Sequence, residues 1–240
     1  MVQDAWFDDP WLSTSKISRA NASGKTNLRI ETIWNIEPLD AQLGVASKKA
    51  VPDALADALF GQPEPTIAEI SASESEPDSL PSLRTFAILD AAKVTNLPEL
   101  LERSELEHRC LFIGQAFEDL KNVAPWIVQL EPDSAFTRNL FTRSDAYWHI
   151  WDAAPGIYLR SRESLDSIWR HFRKFTRIQD EQGKWFYFRL WEPRWTAHVM
   201  QALPEDQAKQ IMSPLFVVYA IIPGTPATVN SIRMREVELD

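Results

Sequence analysis

Two apolar stretches that each run into a carboxylate constrain this chain most. Phe86-Ala87-Ile88-Leu89 reaches Asp90, and Trp185-Phe186-Tyr187-Phe188-Arg189-Leu190-Trp191 reaches Glu192, with Pro193 and Arg194 behind it. Short runs of aromatic and branched residues are expected as buried strands, and in both cases the carboxylate stands where a strand hands over to a helix. Strand and helix signals alternate between them. Strands are predicted at Thr85 to Leu89, Cys110 to Ile113, Trp126 to Leu130 and Ile157 to Leu159. Helices are predicted around Pro98 to Arg103, Phe117 to Val123 and Ser134 to Arg143. The first strand, helix, strand succession is compatible with a parallel crossover unit.

The helix pattern is clearest after Leu159. Ser161 is a natural N-cap with Glu163 in the first turn, and Leu165, Ile168, Trp169, Phe172 and Phe175 follow at helical spacing as a core-facing stripe. Pro193 suits a first helical turn, with that helix reaching about Leu203. A helix over Glu205 to Met212, a strand over Phe216 to Ile222 and a last strand near Ser231 to Val237 complete the C-terminal part. Upstream, Leu28 to Trp34 alternates like a strand, and Pro52 to Phe60 reads as an amphipathic helix stopped by Gly61. Residues 62 to 82 are rich in Pro, Ser and Glu and lack Lys and Arg, the composition of a solvated linker.

The expectation is therefore a mixed α/β fold: a mixed sheet flanked by helices, with a small C-terminal lobe and an N-terminal extension. The parts divide as an extension (1–61), an acidic linker (62–82), a core (83–203) and a C-terminal helix-strand segment (204–240). The extension, set apart by the linker, is expected to be a client-specific or assembly-specific module.

At 240 residues and 45% hydrophobic content the chain can bury a sizeable core. Its longest apolar run, Leu215 to Ile222, is far short of a membrane span, and the acidic start Met1 to Asp9 lacks the apolar segment of a secretory signal. A soluble, cytoplasmic protein is expected. A net charge of −9 opposes bulk binding to nucleic acid or anionic membrane. Ten tryptophans suit either a core or an interface. The single cysteine, Cys110, sits in the apolar run Cys110 to Ile113 and reads as an inert core thiol.

Recognisable catalytic sets are missing from the sequence. Gly24-Lys25-Thr26 has the tail of a phosphate loop, but Arg19 stands where the first glycine is needed. The histidines His108, His149, His171 and His198 lack zinc-helix spacing, and no nucleophile elbow occurs. Neither a cofactor nor a metal is implied. Asp90 and Glu192 could converge as a general acid/base pair, or each could hold the N–H groups of a helix start. Arg189 and Arg194 flank Glu192, so a bidentate arginine–carboxylate clamp with Asp90 or Glu192 would fix the two strand ends to each other. Arg170, Arg173, Lys174 and Arg177, with Arg160 and Arg162 ahead of them, form a basic exception in an acidic chain. Such a face would steer an acidic segment of a partner, the alternative being an ordinary solvated helix face.

Three blocks occur in order: Leu89-Asp90-Ala91-Ala92, Ala124-Pro125-Trp126-Ile127-Val128 and Phe188-Arg189-Leu190-Trp191-Glu192-Pro193-Arg194, with Leu111-Phe112 and the Trp169 helix between. Over residues 83 to 203, about half of the chain, this resembles the effector chaperone or adaptor family of bacterial type VI secretion. The last block departs from the family's Arg-Phe-Tyr-Asp-Pro-Arg in carrying Glu192 for the Asp. The resemblance implies a non-enzymatic cytoplasmic adaptor that binds a cognate toxic effector and helps load it onto the VgrG-type spike protein. It implies no cofactor, nucleic acid or membrane partner. Two other readings stand beside it: a small hydrolase or transferase using the Asp90 and Glu192 carboxylates, and a subunit docked permanently on a larger assembly.

Overall fold

The computed structural model describes residues 27–66, 69–70, 80–179 and 182–235. Gly24-Lys25-Thr26, the middle of the acidic linker and the end of the last predicted strand lie outside the described residues. The chain forms strands β1 (Leu28–Ile36), β2 (Arg84–Asp90), β3 (His108–Cys110), β4 (Pro125–Leu130), β5 (Gly156–Ser161), β6 (Arg177–Gln179), β7 (Trp185–Tyr187), β8 (Val217–Ile222) and β9 (Ala227–Met234). The helices are α1 (Asp53–Phe60), α2 (Leu97–Ser104), α3 (Gln115–Leu120), α4 (Ala135–Phe141), α5 (Leu165–Arg173), α6 (Pro193–Ala202) and α7 (Glu205–Met212).

Seven strands make one sheet in the order β1-β9-β8-β5-β2-β4-β3, and β6 pairs with β7 apart from it. Every pairing between these strands is antiparallel. The expected mixed α/β class holds, while the parallel crossover does not. β2 and β3 do run in the same direction, but β4 lies between them and pairs with both. The continuous apolar runs of the central strands arise because the sheet is covered on both faces, so both sides of each strand are buried.

Successive residues of β2 show this. Ala87 and Leu89 join a core with Leu55 and Leu59 of α1, Leu97 and Leu101 of α2, and Phe136 and Leu140 of α4. Phe86 and Ile88 point the other way, into a core with Leu165, Ile168 and Phe172 of α5, Met200 of α6 and Ile211 of α7. The molecule is thus three layers, helices on each face of one sheet. β5 approaches β2 so closely that a Cβ at Gly156 would strike the Ile88 carbonyl.

The sheet is wider than the predicted core. β8 pairs with β5 and β9 with β8, so residues 204–235 complete the central sheet rather than forming a lobe of their own. β1 pairs along β9 from Leu28↔Met234 to Ile36↔Ala227, across a bulge where Asn35 takes φ 61°. Residues 27–61 of the N-terminal extension are therefore built into the fold, and Ile36, Val51, Leu55 and Leu59 contribute to its core. Two buried polar contacts fasten it. Thr85 Oγ1 donates to the Leu59 carbonyl, and Arg160, 1% exposed, donates to the carbonyls of Ala58 (2.8 Å) and Gly61 at the end of α1. That cation answers the negative end of the helix dipole. The linker's ends are held as well: Gln62 Nε2 donates to the Leu83 carbonyl and its Oε1 accepts from the Leu83 N–H, both at 2.8 Å.

α6 and α7 match the sequence reading closely. α5 begins later than expected. Ser161 still belongs to β5 and donates to the Pro214 carbonyl, so the N-cap is Ser164, which accepts from Ser167 N–H at 3.2 Å. The strand expected over Trp185 to Trp191 stops at Tyr187. Phe188 adds one more bond to Thr176, and the chain then turns so that Leu190 and Trp191 enter the core beside α6.

Candidate functional site

Central strand β2 ends between the ends of β4 and β5, where Asp90 N–H donates to Pro155 (2.8 Å) and Ala91 N–H to Ala124 (3.0 Å). Asp90 is 2% exposed. Its Oδ1 accepts from Ala92 N–H at 2.9 Å and its main-chain carbonyl from Lys93 N–H at 3.0 Å, a turn stabilised by its own side chain. Oδ2 accepts from Arg189 Nη2 and from the indole N–H of Trp191 at 3.1 Å. One rung further, Lys93 Nζ meets Glu192 Oε2 at 2.6 Å and donates to the Ala154 carbonyl at 3.0 Å. Two crossed ion pairs therefore tie the turn after β2 to the segment that enters α6.

The clamp joins Asp90, Arg189 and Glu192, with three corrections to the sequence reading. Asp90 does not start a helix; it closes a turn, and α2 begins only at Leu97. Glu192 does occupy the N-cap of α6, but its side chain caps nothing, because the nearby Lys93 ammonium takes it. Pro193 sits at the first helical position as expected, whereas Arg194 is exposed and takes no part in the clamp. Lys93 and Trp191 complete the arrangement. Nothing in the sequence marked Lys93; Trp191 lay inside a block whose Trp residues had been read as strand. With Asp90 bound to Arg189 and Glu192 to Lys93, both carboxylates of the supposed acid/base pair are engaged by cations.

The four basic residues that follow Ser164 do not make one face. Arg170 pairs with Asp166 at 2.6 Å and, with Lys174, lines an open polar cleft of about 560 Å³ reaching Ser213 and Pro214. Arg173 lies on the other flank, its guanidinium 4.6 Å from the centre of the Trp169 ring. Arg109, in the middle of β3, stacks on the same indole at 5.1 Å and reaches Asp166 at 2.5 Å. Trp169, expected in the core stripe, is thus only half-buried, and its N–H is fixed to the Cys110 carbonyl at 2.7 Å. Arg177 has left the helix for β6, where it stands 5.5 Å over Tyr187 and opposite it in the register. Tyr187 packs on Phe112 with ring centres 5.3 Å apart.

These contacts join α5, the turn after β3 and the β6–β7 hairpin into one surface of alternating arginine and aromatic side chains, with Ile113 and Tyr187 exposed. The sequence does not single out Arg109 or pair Phe112 with Tyr187, since the contacts that gather them are tertiary. Other large apolar side chains are exposed elsewhere: Trp34, Leu43, Tyr147, Trp148 and Trp195. Cys110 is buried, and burial pushes its thiol up to about 11, as befits an inert core cysteine. Among the described residues no group of three or more His, Cys, Asp or Glu side chains is placed to hold a metal ion. No helix among them is long and apolar enough to cross a membrane.

No curated protein and no solved structure matches the chain. A family model does match, from residue 85 in β2 to residue 210 in α7, just over half of the chain and including the whole clamp and the arginine–aromatic surface. The chain belongs to the family described as a domain of unknown function, DUF4123.

Proposed function

We propose that this protein is a non-enzymatic adaptor of the type VI secretion effector-chaperone kind, acting in the cytoplasm. It binds a cognate toxic effector and presents it to the VgrG-type spike protein. The observation that carries the reading is the number of large aromatic side chains left on the surface, among them Trp34, Trp148, Tyr187 and Trp195. Exposed tryptophan and tyrosine leave apolar ring area in water that a partner can bury, and they are the residues that anchor protein interfaces. The clamp supports the same reading: it uses the carboxylates to hold the fold together, which leaves recognition to the surface. The resemblance of the three sequence blocks points to the client class.

Binding alone performs this task. Aromatic contact supplies most of the affinity, charge selects the partner, and release requires only that the spike complex be more stable than the adaptor complex. The test is affinity purification of the tagged full chain from its host in a secretion-active culture, with mass spectrometry of what remains bound at moderate salt. Recovery of a toxin-like protein together with a spike component is expected. Recovery of neither overturns the adaptor reading.

A further inference from the structure

We propose that the outer edge of β1 is a self-association site, and that its occupant is a second copy of this chain, bound strand to strand about a two-fold axis at Ile30. The inference goes beyond the adaptor reading and does not depend on it.

The direction of the backbone groups is the first observation. β1 is the last strand on its side of the sheet and pairs along one edge with β9. One step before the Leu28↔Met234 pair, the Asn27 carbonyl accepts the Arg235 N–H at 3.0 Å, which makes Asn27 and Arg235 a hydrogen-bonded pair. Such pairs alternate along an antiparallel ladder. The N–H and C=O groups of Arg29 and Glu31 therefore face β9, and those of Leu28, Ile30 and Thr32 face away from it. Among the described residues no backbone group answers Ile30 or Thr32 on that side. The Leu28 carbonyl accepts Arg235 Nε at 3.1 Å and keeps a second lone pair. The bulge between Ile33 and Ile36 ends the regular edge, so residues 28–32 are the segment that another strand can join.

Charge then selects the partner and the register. Arg29 and Glu31 flank Ile30, keep 63% and 47% of their side chains in solvent, and meet each other at 2.6 Å on one face of the strand. A two-fold axis at Ile30 sets Arg29 opposite Glu31 of the second copy, and Glu31 opposite its Arg29. The four side chains then form a closed square of alternating charge. These rungs are non-hydrogen-bonded ones, where cross-strand side chains approach most closely. The backbone fits the same register: Ile30 exchanges both bonds with Ile30 of the second copy, and Leu28 does so with its Thr32. On the other face Ile30, half-buried at the margin of the core that holds Leu28 and Ile232, meets its own copy and gives up further contact with water. Competing arrangements are penalised. An axis at Arg29 or at Glu31 juxtaposes like charges and needs backbone groups that β9 already holds, and parallel pairing in register sets Arg29 beside Arg29 and Glu31 beside Glu31. Because the contact is isologous, it closes at two chains instead of propagating.

A ladder this short places the dimer in the weak, transient class, with association expected at roughly micromolar concentration. The experiment is sedimentation velocity of the purified full chain across a dilution series. It compares the parent with Arg29→Glu, Glu31→Arg and the double Arg29→Glu, Glu31→Arg chain, each first shown to melt like the parent. Either single substitution sets like charges across from each other at both rungs, so dimerisation should weaken about tenfold or more. The double variant restores opposite charges and should dimerise like the parent. An equimolar mixture of the two single variants should form a mixed dimer for the same reason, and added salt should narrow all these differences. A parent that stays monomeric at every concentration overturns the proposal, whether the edge then stays open or takes a strand of another protein. A dimer that both single substitutions leave unchanged overturns the site, and single losses that the double variant does not restore overturn the register.

Discussion

Asp90→Ala tests the clamp most directly, because the carboxylate accepts three bonds and each donor meets a different fate when it is removed. The Trp191 indole N–H has no route to water, since the residue is 5% exposed; leaving it unpaired costs about 1–3 kcal/mol. Ala92 N–H loses the bond that closes the turn, worth about 1 kcal/mol. Arg189 keeps 49% of its side chain in solvent and can rehydrate, so its ion pair contributes only up to about 1 kcal/mol. These terms share one acceptor and do not add fully, which gives a loss of about 3 kcal/mol, or roughly 6–12 °C in Tm for a chain of this size. Asp90→Asn keeps one oxygen where two were used, so it should fall between parent and Asp90→Ala. Arg189→Met leaves the buried carboxylate without its cation while its Trp191 and Ala92 bonds remain, so it should be destabilised at least as much as Asp90→Ala. Urea denaturation followed by far-ultraviolet circular dichroism measures all of them. An Asp90→Ala chain within about 0.5 kcal/mol of the parent, or an Arg189→Met chain as stable as the parent, refutes this account of the clamp.

Further predictions concern buried titratable groups. His171 donates its Nε2–H to the Ile211 carbonyl (2.9 Å), and burial, reinforced by Lys174, lowers its pKa below the usual 6.5. The unfolded chain therefore takes up this proton first as pH falls, so the stability from neutral His171 is present above pH 6.5 and lost below it. The fall in Tm between pH 7.5 and 5.5 should be smaller in His171→Gln, and an identical fall in both chains contradicts this. Cys110, with its thiol at about 11, should resist alkylation at pH 8 until the protein unfolds, and thiol titration with and without urea checks it. Because that pKa is raised above the unfolded value of 9.0, its contribution is present below pH 9 and declines as pH rises toward 11. Arg160→Met removes the cation from the end of α1 and strands the carbonyls of Ala58 and Gly61, a loss of about 2–3 kcal/mol. Limited proteolysis should then cut near residues 61–66 faster than in the parent.

How much of this was legible in the sequence depended on whether the deciding contact was local. α6 and α7 could be read almost residue by residue, since Pro193 and Pro204 fix their starts and helical spacing fixes their buried sides. The start of α5 was misplaced because Ser161 and Ser164 are equally good caps by composition. What decides between them is the pairing of Arg160 with Val217, which holds the chain extended through Ser161. The order of strands was hidden for a related reason. A strand buried on both faces shows no alternation, so β2 carries no mark of its neighbours or of their direction. At the site, the Asp90–Arg189 pair could be anticipated from charge and the strand-end position. Lys93 and Arg109 could not, because each acquires its role by meeting a residue 99 or 60 positions away through the fold.

The family-matched segment poses a sharper question, since it ends inside the architecture. Residues 85–210 contain β2, β3, β4 and β5 with most of the flanking helices, but not β8, β9, β1 or α1. A fragment cut at those limits would expose the edge of β5 that β8 now covers, together with its unpaired N–H and C=O groups. It would also uncover Leu159 and Tyr158, which bury 0% and 2% exposed faces against opposite layers, and would leave Arg160 as an interior cation without the α1 carbonyls. A long apolar edge is a template for pairing with another chain. The fragment is therefore expected to aggregate or bind a hydrophobic dye, whereas residues 27–235 should remain free of aggregates with a single cooperative melt. A monomeric, cooperatively melting 85–210 fragment would show that the matched segment is self-sufficient and that β1, β8 and β9 are additions to it. Aggregation of the short fragment alone would mean that this chain needs its own ends to complete the fold, whatever serves that purpose in other members of the family.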